Sequence, residues 1–429
     1  MSESAAPSRG PEVFAEAPLG PIRLKNRIIK AATFEGRSPR GAVTDDLIAF
    51  HVAMARGGVA MTTVAYLAVA PEGRTDRHCI VLGDAAFDGL ARLTDAVHTA
   101  GALVAAQIGH AGPVANSASN GMPALSPTRR FGASGARTRA VSESDIARIT
   151  DDYATGAALA VSAGFDAIEV HLGHNYLLSS FLSPKLNRRT DAWGGKLEAR
   201  ARFPRQVVAA VRQAAGPSVA VTAKLNMEDG VTGGFAIEDS LQVAQMLADD
   251  GHLDALELTG GSSLSNPMYL FRGDAPRKEF AATLPGPLRL GFAVVGKRFL
   301  KEYPFEEAFF APQARQFLAA VDLPVVLLGG IDRLDTVEQA MAEGFSFVAM
   351  GRALLREPDL VSRWQAGQRD EATCIHCNRC MPTIYSGTRC VLDPGGGPGG
   401  GPGGATDDPK DRRAAGGSSG ATTEGPDLA

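Results

Sequence analysis

Two imidazoles and a phenol stand together in His171-Leu172-Gly173-His174-Asn175-Tyr176. Histidines three apart on a tight turn can converge on one anionic oxygen, and a tyrosine two residues further on can present a proton beside it. The run continues Phe165-Asp166-Ala167-Ile168-Glu169-Val170, which is short, apolar and bounded by a Gly/Asp turn, the pattern of a buried strand. In a parallel α/β barrel the end of such a strand is where chemistry is done. Two surface histidines and a packing tyrosine are the bland alternative.

Other strand ends carry chemistry too. Gln107 sits in Ala106-Gln107-Ile108-Gly109-His110-Ala111-Gly112, and Lys224 in Val221-Thr222-Ala223-Lys224-Leu225-Asn226. A cation in a barrel mouth is costly unless paired, so Lys224 either meets an anion or reaches for solvent. Val325-Val326-Leu327-Leu328 runs into Gly329-Gly330, and Val348-Ala349-Met350 into Gly351-Arg352. Loops after the last two barrel strands commonly bind phosphate through backbone amides and a helix N-terminus. Gly329, Gly330 and Gly351 let the backbone approach, and Arg352 adds charge. Turn glycines with a solvated arginine are the alternative there.

These ends belong to a strand-then-helix pattern repeated about eight times, which predicts an α/β fold, a closed parallel (β/α)8 TIM barrel. The strands are expected at 27–33, 59–65, 103–109, 166–171, 219–225, 255–259, 324–328 and 346–350, all apolar runs of the kind buried on both faces. Helices are expected at 142–163, where Ser142 and Asp145 form a capping pair, and at 196–215. An open doubly wound sheet has the same local pattern. Between strands six and seven, residues 260–320 are too long for a simple loop. They carry Met268, Tyr269, Leu270, Phe271, Phe305, Phe309 and Phe310, so they read either as a lid over an apolar pocket or as a packing cluster. Residues 1–12 read as a flexible leader, 13–392 as the barrel and 393–429, rich in Gly, Pro and Ser, as a disordered tail.

Composition narrows the function classes. The chain has 429 residues, is 45% hydrophobic and has a net charge of -4 without a basic block, which gives no support to nucleic-acid binding. No run approaches the roughly 18 apolar residues of a membrane helix. The N-terminus lacks the apolar core of a signal peptide, so the cytoplasm is the default setting. The five cysteines agree, since a disulfide framework is unexpected in a chain of this size without a secretion signal. Homo-oligomerisation is left open.

Downstream of Tyr176 come Phe181-Leu182-Ser183-Pro184, Asn187-Arg188-Arg189-Thr190-Asp191, Gly194-Gly195 and Glu198-Ala199-Arg200-Ala201-Arg202-Phe203. In this order the motifs resemble the old yellow enzyme family, FMN-dependent ene-reductases whose pattern is close to H-x-x-[HN]-x-Y-L, F-L-S-P, N-x-R-x-D, G-G and E-x-R-x-R-F. The resemblance runs from about residue 14 to about 392. It implies that Gln107 bonds the flavin's pyrimidine edge and that Lys224 stands by N1/O2. It also implies that NAD(P)H reduces FMN and that an apolar enone or nitro acceptor then takes hydride at Cβ. His171 and His174 would hold the acceptor's oxygen and Tyr176 would protonate Cα, a carbon far more basic than a phenolate of pKa about 10. A desaturase or isomerase would use the same residues, and a non-catalytic barrel would not need them. The first strand departs from the family: in Lys30-Ala31-Ala32-Thr33-Phe34-Glu35 either Thr33 or Phe34 neighbours the flavin's C4–O4 edge, and Ala65-Tyr66 stands where small residues are common.

Four cysteines cluster as Cys374-x2-Cys377-x2-Cys380-x9-Cys390. Their start resembles the C-I-x-C-N run of 2,4-dienoyl-CoA reductases, which implies a [4Fe-4S] cluster. In those relatives, however, the third cysteine comes one residue later and an FAD/NAD domain follows. Cluster, zinc and free thiols remain the alternatives.

Overall fold

The computed structural model describes residues 12–392 except Ser134 and Pro285. The tail at 393–429 and all but the last residue of the leader lie outside the described residues. Eight strands form a closed barrel: β1 (Ile28–Lys30), β2 (Met61–Ala68), β3 (Leu103–Gly109), β4 (Ala167–Leu172), β5 (Ala220–Asn226), β6 (Ala255–Thr259), β7 (Val325–Leu328) and β8 (Phe347–Met350). Each pairs in parallel with the next, and β8 pairs with β1, so the open-sheet alternative falls. The first strand ends at Lys30, not 33, because its last rung is Ala31 N–H to Met350 O at 2.9 Å. The second runs on to Ala68 through a register shift between Val64 and Leu67, where the Ala65-Tyr66 peptide is cis.

Side chains alternate across a strand, so each strand has one face on the barrel axis and one under the helices. At the N-terminal end the axis is filled by Ile29, Met61, Ala105, Ala167, Ala220, Ala255, Val326 and Phe347. Two and four residues further along the same faces stand Gln107, Glu169, His171, Thr222, Lys224, Glu257 and Thr259, all of them buried and none of them apolar. The barrel is therefore an apolar plug topped by a polar layer. The outward faces (Val104, Ile168, Val170, Val221, Leu256, Leu258) pack under the helices.

The helices include α1 (Asp45–Arg56), α2 (Asp84–Thr99), α3 (Glu143–Ser162), α4 (Leu197–Ala215), α5 (Ile237–Asp249), α6 (Ala311–Ala320), α7 (Leu334–Ala342) and α8 (Arg352–Arg356). α3 opens on the expected capping box between Ser142 and Asp145. One boundary is corrected. The last ten residues of the expected insertion are α6, the barrel's own helix before β7. Its apolar residues and Pro312 in the first turn read as a continuation of the loop. The insertion proper, 260–310, carries short helices at Met268–Phe271 and Arg277–Thr283 and a longer one at Gly286–Phe299. Among the described residues no helix is long and apolar enough to cross a membrane.

Candidate active site

His171 stands on the inner face of β4 near its end, His174 and Tyr176 follow in the turn after it, and that turn is strained. His174 and Asn175 have φ of 59° and 62°, a left-handed backbone that needs outside support in non-glycine residues. That support comes from the end of β5. Asn226 Oδ1 accepts the His174 N–H at 3.0 Å, and Asn175 Nδ2 donates to Asp229 Oδ1 at 2.9 Å. Buried Asp229 also accepts from Asn226 Nδ2 (3.1 Å), Ser183 Oγ (2.6 Å) and Phe235 N (2.9 Å). One carboxylate thus ties the β4 turn, the following helix and the β5 loop together. Its burial raises its pKa against the pull of those donors.

The three side chains converge as expected. The His171 and His174 rings lie 5.1 Å apart, and Tyr176 stands edge-on to His171 at 4.6 Å, with Tyr66 on its other side at 5.4 Å. His174 Nε2 lies 3.0 Å from Thr259 Oγ1, whereas His171 Nδ1 is buried with no partner among the described residues. Burial, then Lys224, pushes His174 down to about 3. Burial, His174 and Lys224 push His171 well below its ordinary value. Both rings are therefore neutral near pH 7. A neutral imidazole offers one N–H, which is what an oxygen gathering negative charge needs.

Lys224 is charged and paired. Its Nζ lies 3.0 Å from Glu169 Oε1 and 2.7 Å from Glu257 Oε1, and Gln107 Nε2 donates to the same Glu169 oxygen at 2.7 Å. Burial would lower the lysine, but the two carboxylates outweigh it and raise it. Burial and then Glu169 push Glu257 up, to about 8, because two acids share one cation. Sequence reasoning missed Glu169 and Glu257. Their part in the site depends on register: Glu257 is the register neighbour of Lys224, as is His171, and Glu169 lies on the same face as His171.

The β7–β8 side is made of glycines and aromatics. Gly329 and Gly330 have φ of 112° and 71°. A Cβ at either would lie 2.7 Å from a ring atom, of Phe310 and Phe309 respectively, so only glycine fits. Of the residues weighed as a lid, Phe309 and Phe310 pack on these glycines, and Met268 and Phe271 pack with Leu300 and Met381. Space over Gly351 is open: a Cβ there would meet only Thr33 Cγ2, at 3.8 Å. Arg352 is turned toward the C-terminal segment, donating to Arg272 O (2.9 Å) and Asn378 Oδ1 (2.5 Å). The amides of Asp332 and Arg333 before α7 donate to Glu307 Oε1 at 2.9 and 3.3 Å, so part of that anion site is taken by the protein's own carboxylate.

Of the two candidates on the first strand, Thr33 is the one beside Gly351. Its Oγ1 accepts from Lys30 Nζ at 2.8 Å, a lysine lowered to about 8 by burial. Phe34 packs instead against the buried cluster that holds Ala65 and Tyr66, as Tyr176 also does. Gln107, Lys224, the unpartnered His171 nitrogen, and open backbone at Gly351 beside Thr33 together suit a planar, polar-edged ring carrying a phosphate. These residues fit FMN.

Residues 372–390 cross the mouth. Ala372 N–H donates to Asp332 O (2.9 Å) after β7, and Thr388 N–H to Glu35 O (2.7 Å) after β1. His376 stacks on Phe305 at 3.4 Å and lies 2.6 Å from Asp332 Oδ2. The four cysteines here are free thiols, near enough for the other three to help raise Cys380 to about 12, mainly a burial effect. Among the described residues, however, no three His, Cys, Asp or Glu side chains are arranged to hold a metal ion. As they stand, these thiols do not fit the [4Fe-4S] or zinc expectation, and no chemistry is assigned to one.

Comparison with known proteins fits the site. Residues 12–258 match the NADH:flavin oxidoreductase / NADH oxidase family. A 4,4'-dithiodibutanoate disulfide reductase of Rhodococcus erythropolis is 57% identical over 383 residues, 89% of this chain and 95% of that protein. A multifunctional alkene reductase/demethylase of Caballeronia cordobensis is 29% identical over 83% of this chain, which spans about half (49%) of that longer protein. The old yellow enzyme homologue of Zymomonas mobilis has the same fold, with a TM-score of 0.67 at 22% identity, covering 86% of this chain and 96% of that one. The chain belongs to the NADH:flavin oxidoreductase, or old yellow enzyme, family, whose members are oxidoreductases that use FMN with NAD(P)H.

Proposed function

We propose that this protein uses NAD(P)H to reduce the activated C=C bond of an α,β-unsaturated carbonyl or nitro compound in the cytoplasm. One observation carries the reading: two neutral imidazoles and a phenol are gathered at the end of β4 and on the strained turn that follows it, at the barrel mouth. Bound FMN supplies hydride transfer from NAD(P)H to the acceptor. His171 and His174 hold the acceptor's oxygen and stabilise the charge that grows on it. Tyr176 gives its proton to Cα. Gln107 and Lys224 orient the flavin's polar edge, with Gly329, Gly330, Gly351 and Arg352 at the phosphate end and Thr33 beside them.

A second reading rests on the 57% identical relative, which is named for a disulfide substrate. There the hydride's electron pair breaks an S–S bond, and RSSR, NAD(P)H and one proton give two thiols and NAD(P)+. The same turn would serve, with an N–H or the phenol on the departing sulfur.

The two readings part in the oxidative half-reaction. Enzyme reduced anaerobically with NADH or NADPH is mixed with 2-cyclohexenone or with 4,4'-dithiodibutanoate, and flavin absorbance is followed. Reoxidation by the enone, lost in Tyr176→Phe, supports the first reading. Reoxidation by the disulfide alone replaces it with the second, and reoxidation by neither defeats both.

A further inference from the structure

Arg272 lies in the insertion, at the end of helix Met268–Phe271, on the same face of the barrel as His174. Its guanidinium carbon is 4.6 Å from the centre of the Tyr269 ring, 4.8 Å from Tyr303 and 5.5 Å from Phe309. The box is rigid. The Tyr269 hydroxyl donates to Glu228, the Tyr303 hydroxyl accepts from Asn266 Nδ2 at 2.8 Å, and the two rings meet at 90°. The backbone is fixed as well. Arg272 has φ of 45°, and its carbonyl accepts from Arg352 and from Asn378 Nδ2, each at 2.9 Å. A non-glycine residue held so far from its preferred backbone is an outlier that points to function.

What the guanidinium lacks is an anion. Among the described residues its hydrogen bonding is Nε to Tyr269 O at 3.3 Å, and no carboxylate pairs with it. The two buried arginines among the described residues do have such a partner, Asp46 for Arg37 and Asp239 for Arg200. The box also shares its loops with the reactive turn. Tyr269 lies against Gly230 and Gly260, just past the ends of β5 and β6, and Ser263 N–H donates to His174 O at 3.1 Å. Three rings hold a planar, five-donor cation still while leaving both terminal nitrogens for a planar, two-oxygen partner.

We propose that Arg272 is a carboxylate anchor, so that the acceptor reduced at this mouth is an acid whose carboxylate docks on the guanidinium while its reactive group lies under His171 and His174. The inference deepens the function proposed above and rests on the acceptor binding at this mouth. It also agrees with the Rhodococcus relative, whose named substrate is a dicarboxylate.

The test compares acids with their esters: 4-oxo-2-pentenoate against its methyl ester, and 4,4'-dithiodibutanoate against its dimethyl ester. Arg272→Met is expected to lower the acid-to-ester ratio of kcat/KM by about 10- to 100-fold, mostly through KM, as loss of a charge-assisted pair would. Arg272→Lys, which keeps the charge without the fork, falls between. Glutarate serves as a probe that needs no turnover, since its titration into FMN-loaded enzyme perturbs the flavin spectrum in the wild type and not in Arg272→Met. Parallel loss on acid and ester would make Arg272 a packing staple and overturn the proposal. So would loss of FMN from Arg272→Met, which would make the residue a phosphate ligand. If the wild type reduces none of the four acceptors yet glutarate binds in an Arg272-dependent way, the reaction proposed above fails and the anchor stands.

Discussion

The two halves of the barrel mouth are built by different rules. From β3 to β6 the site consists of side chains on the inner faces of neighbouring strands, where Gln107, Glu169, Lys224 and Glu257 touch across adjacent registers. From β7 to β8 it consists of glycine backbone, aromatic rings from the insertion and a segment arriving from residues 372–390. On the first side each buried charge has an answering charge one strand away, so geometry and electrostatics are the same fact. On the second side shape decides, because glycine lets rings and backbone approach. Substitutions on the first side should change how fast the reaction runs and whether the barrel stands. Those on the second should change what binds.

The largest expected effect lies on the first side. Tyr176→Phe should slow the oxidative half-reaction with an enone by about 10²- to 10⁴-fold, the usual worth of a positioned general acid. Reduction by NAD(P)H should stay within a few-fold, as stopped-flow absorbance would show. An equal loss in both halves would break the assignment of chemistry to the β4 turn. Next is Lys224→Met. It leaves Glu169 and Glu257 side by side in a buried site, an uncompensated charge that costs about 3–5 kcal/mol. Thermal unfolding should move down by several degrees, and adding Glu169→Gln should recover part of the loss. An unchanged Tm would mean that the polar layer is wetter than its burial indicates.

How much of this was legible before any coordinates depends on the same division. The eight strands were readable because burial on both faces leaves runs such as Val325–Leu328 nearly free of polar residues. The reactive trio was readable because it occupies six consecutive residues. Glu169 and Glu257 were not, since their roles require knowing which strand face points inward. Asp229 was beyond reach because its partners Asn175 and Ser183 lie 54 and 46 residues away. The motifs that made the family recognisable are largely scaffolding. Ser183 is held by Asp229, Asn187 bonds the carbonyls of Phe181 (2.9 Å) and Trp193 (2.8 Å), and Arg189 pairs with Asp191. Arg200 reaches the Leu182 carbonyl and Asp239. Recognition came from residues that hold the turn, while the residues that tune it are spread along the chain.

An intermediate effect tests the neutrality of the histidines. His174 falls to about 3 in the folded state, against an ordinary value of 6.5. Between those values the unfolded chain binds a proton that the folded chain does not, so stability is present above about pH 6.5 and is lost as pH falls. One such group contributes a slope of up to about 1.4 kcal/mol per pH unit. His174→Asn, which the family pattern tolerates, should flatten the dependence of urea-unfolding free energy on pH between 4 and 6.5 at matched flavin loading. The same slope in both proteins would mean that the ring is already charged or already solvated, and the oxyanion role would lose its basis.

The smallest effect falls where the two halves meet, at β1 between β8 and β2. Thr33 is aligned by Lys30 and faces the space over Gly351, whereas Phe34 packs against the cluster of Ala65 and Tyr66 on which Tyr176 also rests. If the Thr33 hydroxyl bonds the flavin's edge, Thr33→Ala removes one hydrogen bond of about 0.5–1.5 kcal/mol. For a two-electron couple that amounts to a midpoint shift of about 10–30 mV. Phe34→Leu should leave the potential in place and instead alter KM for the acceptor by loosening the wall behind Tyr176. Spectroelectrochemical titration of both variants decides the matter. A potential that moves with Phe34 and not with Thr33 would reverse the placement of β1: the threonine would then be there to hold a buried lysine, and the potential would be set by a ring that can offer no hydrogen bond.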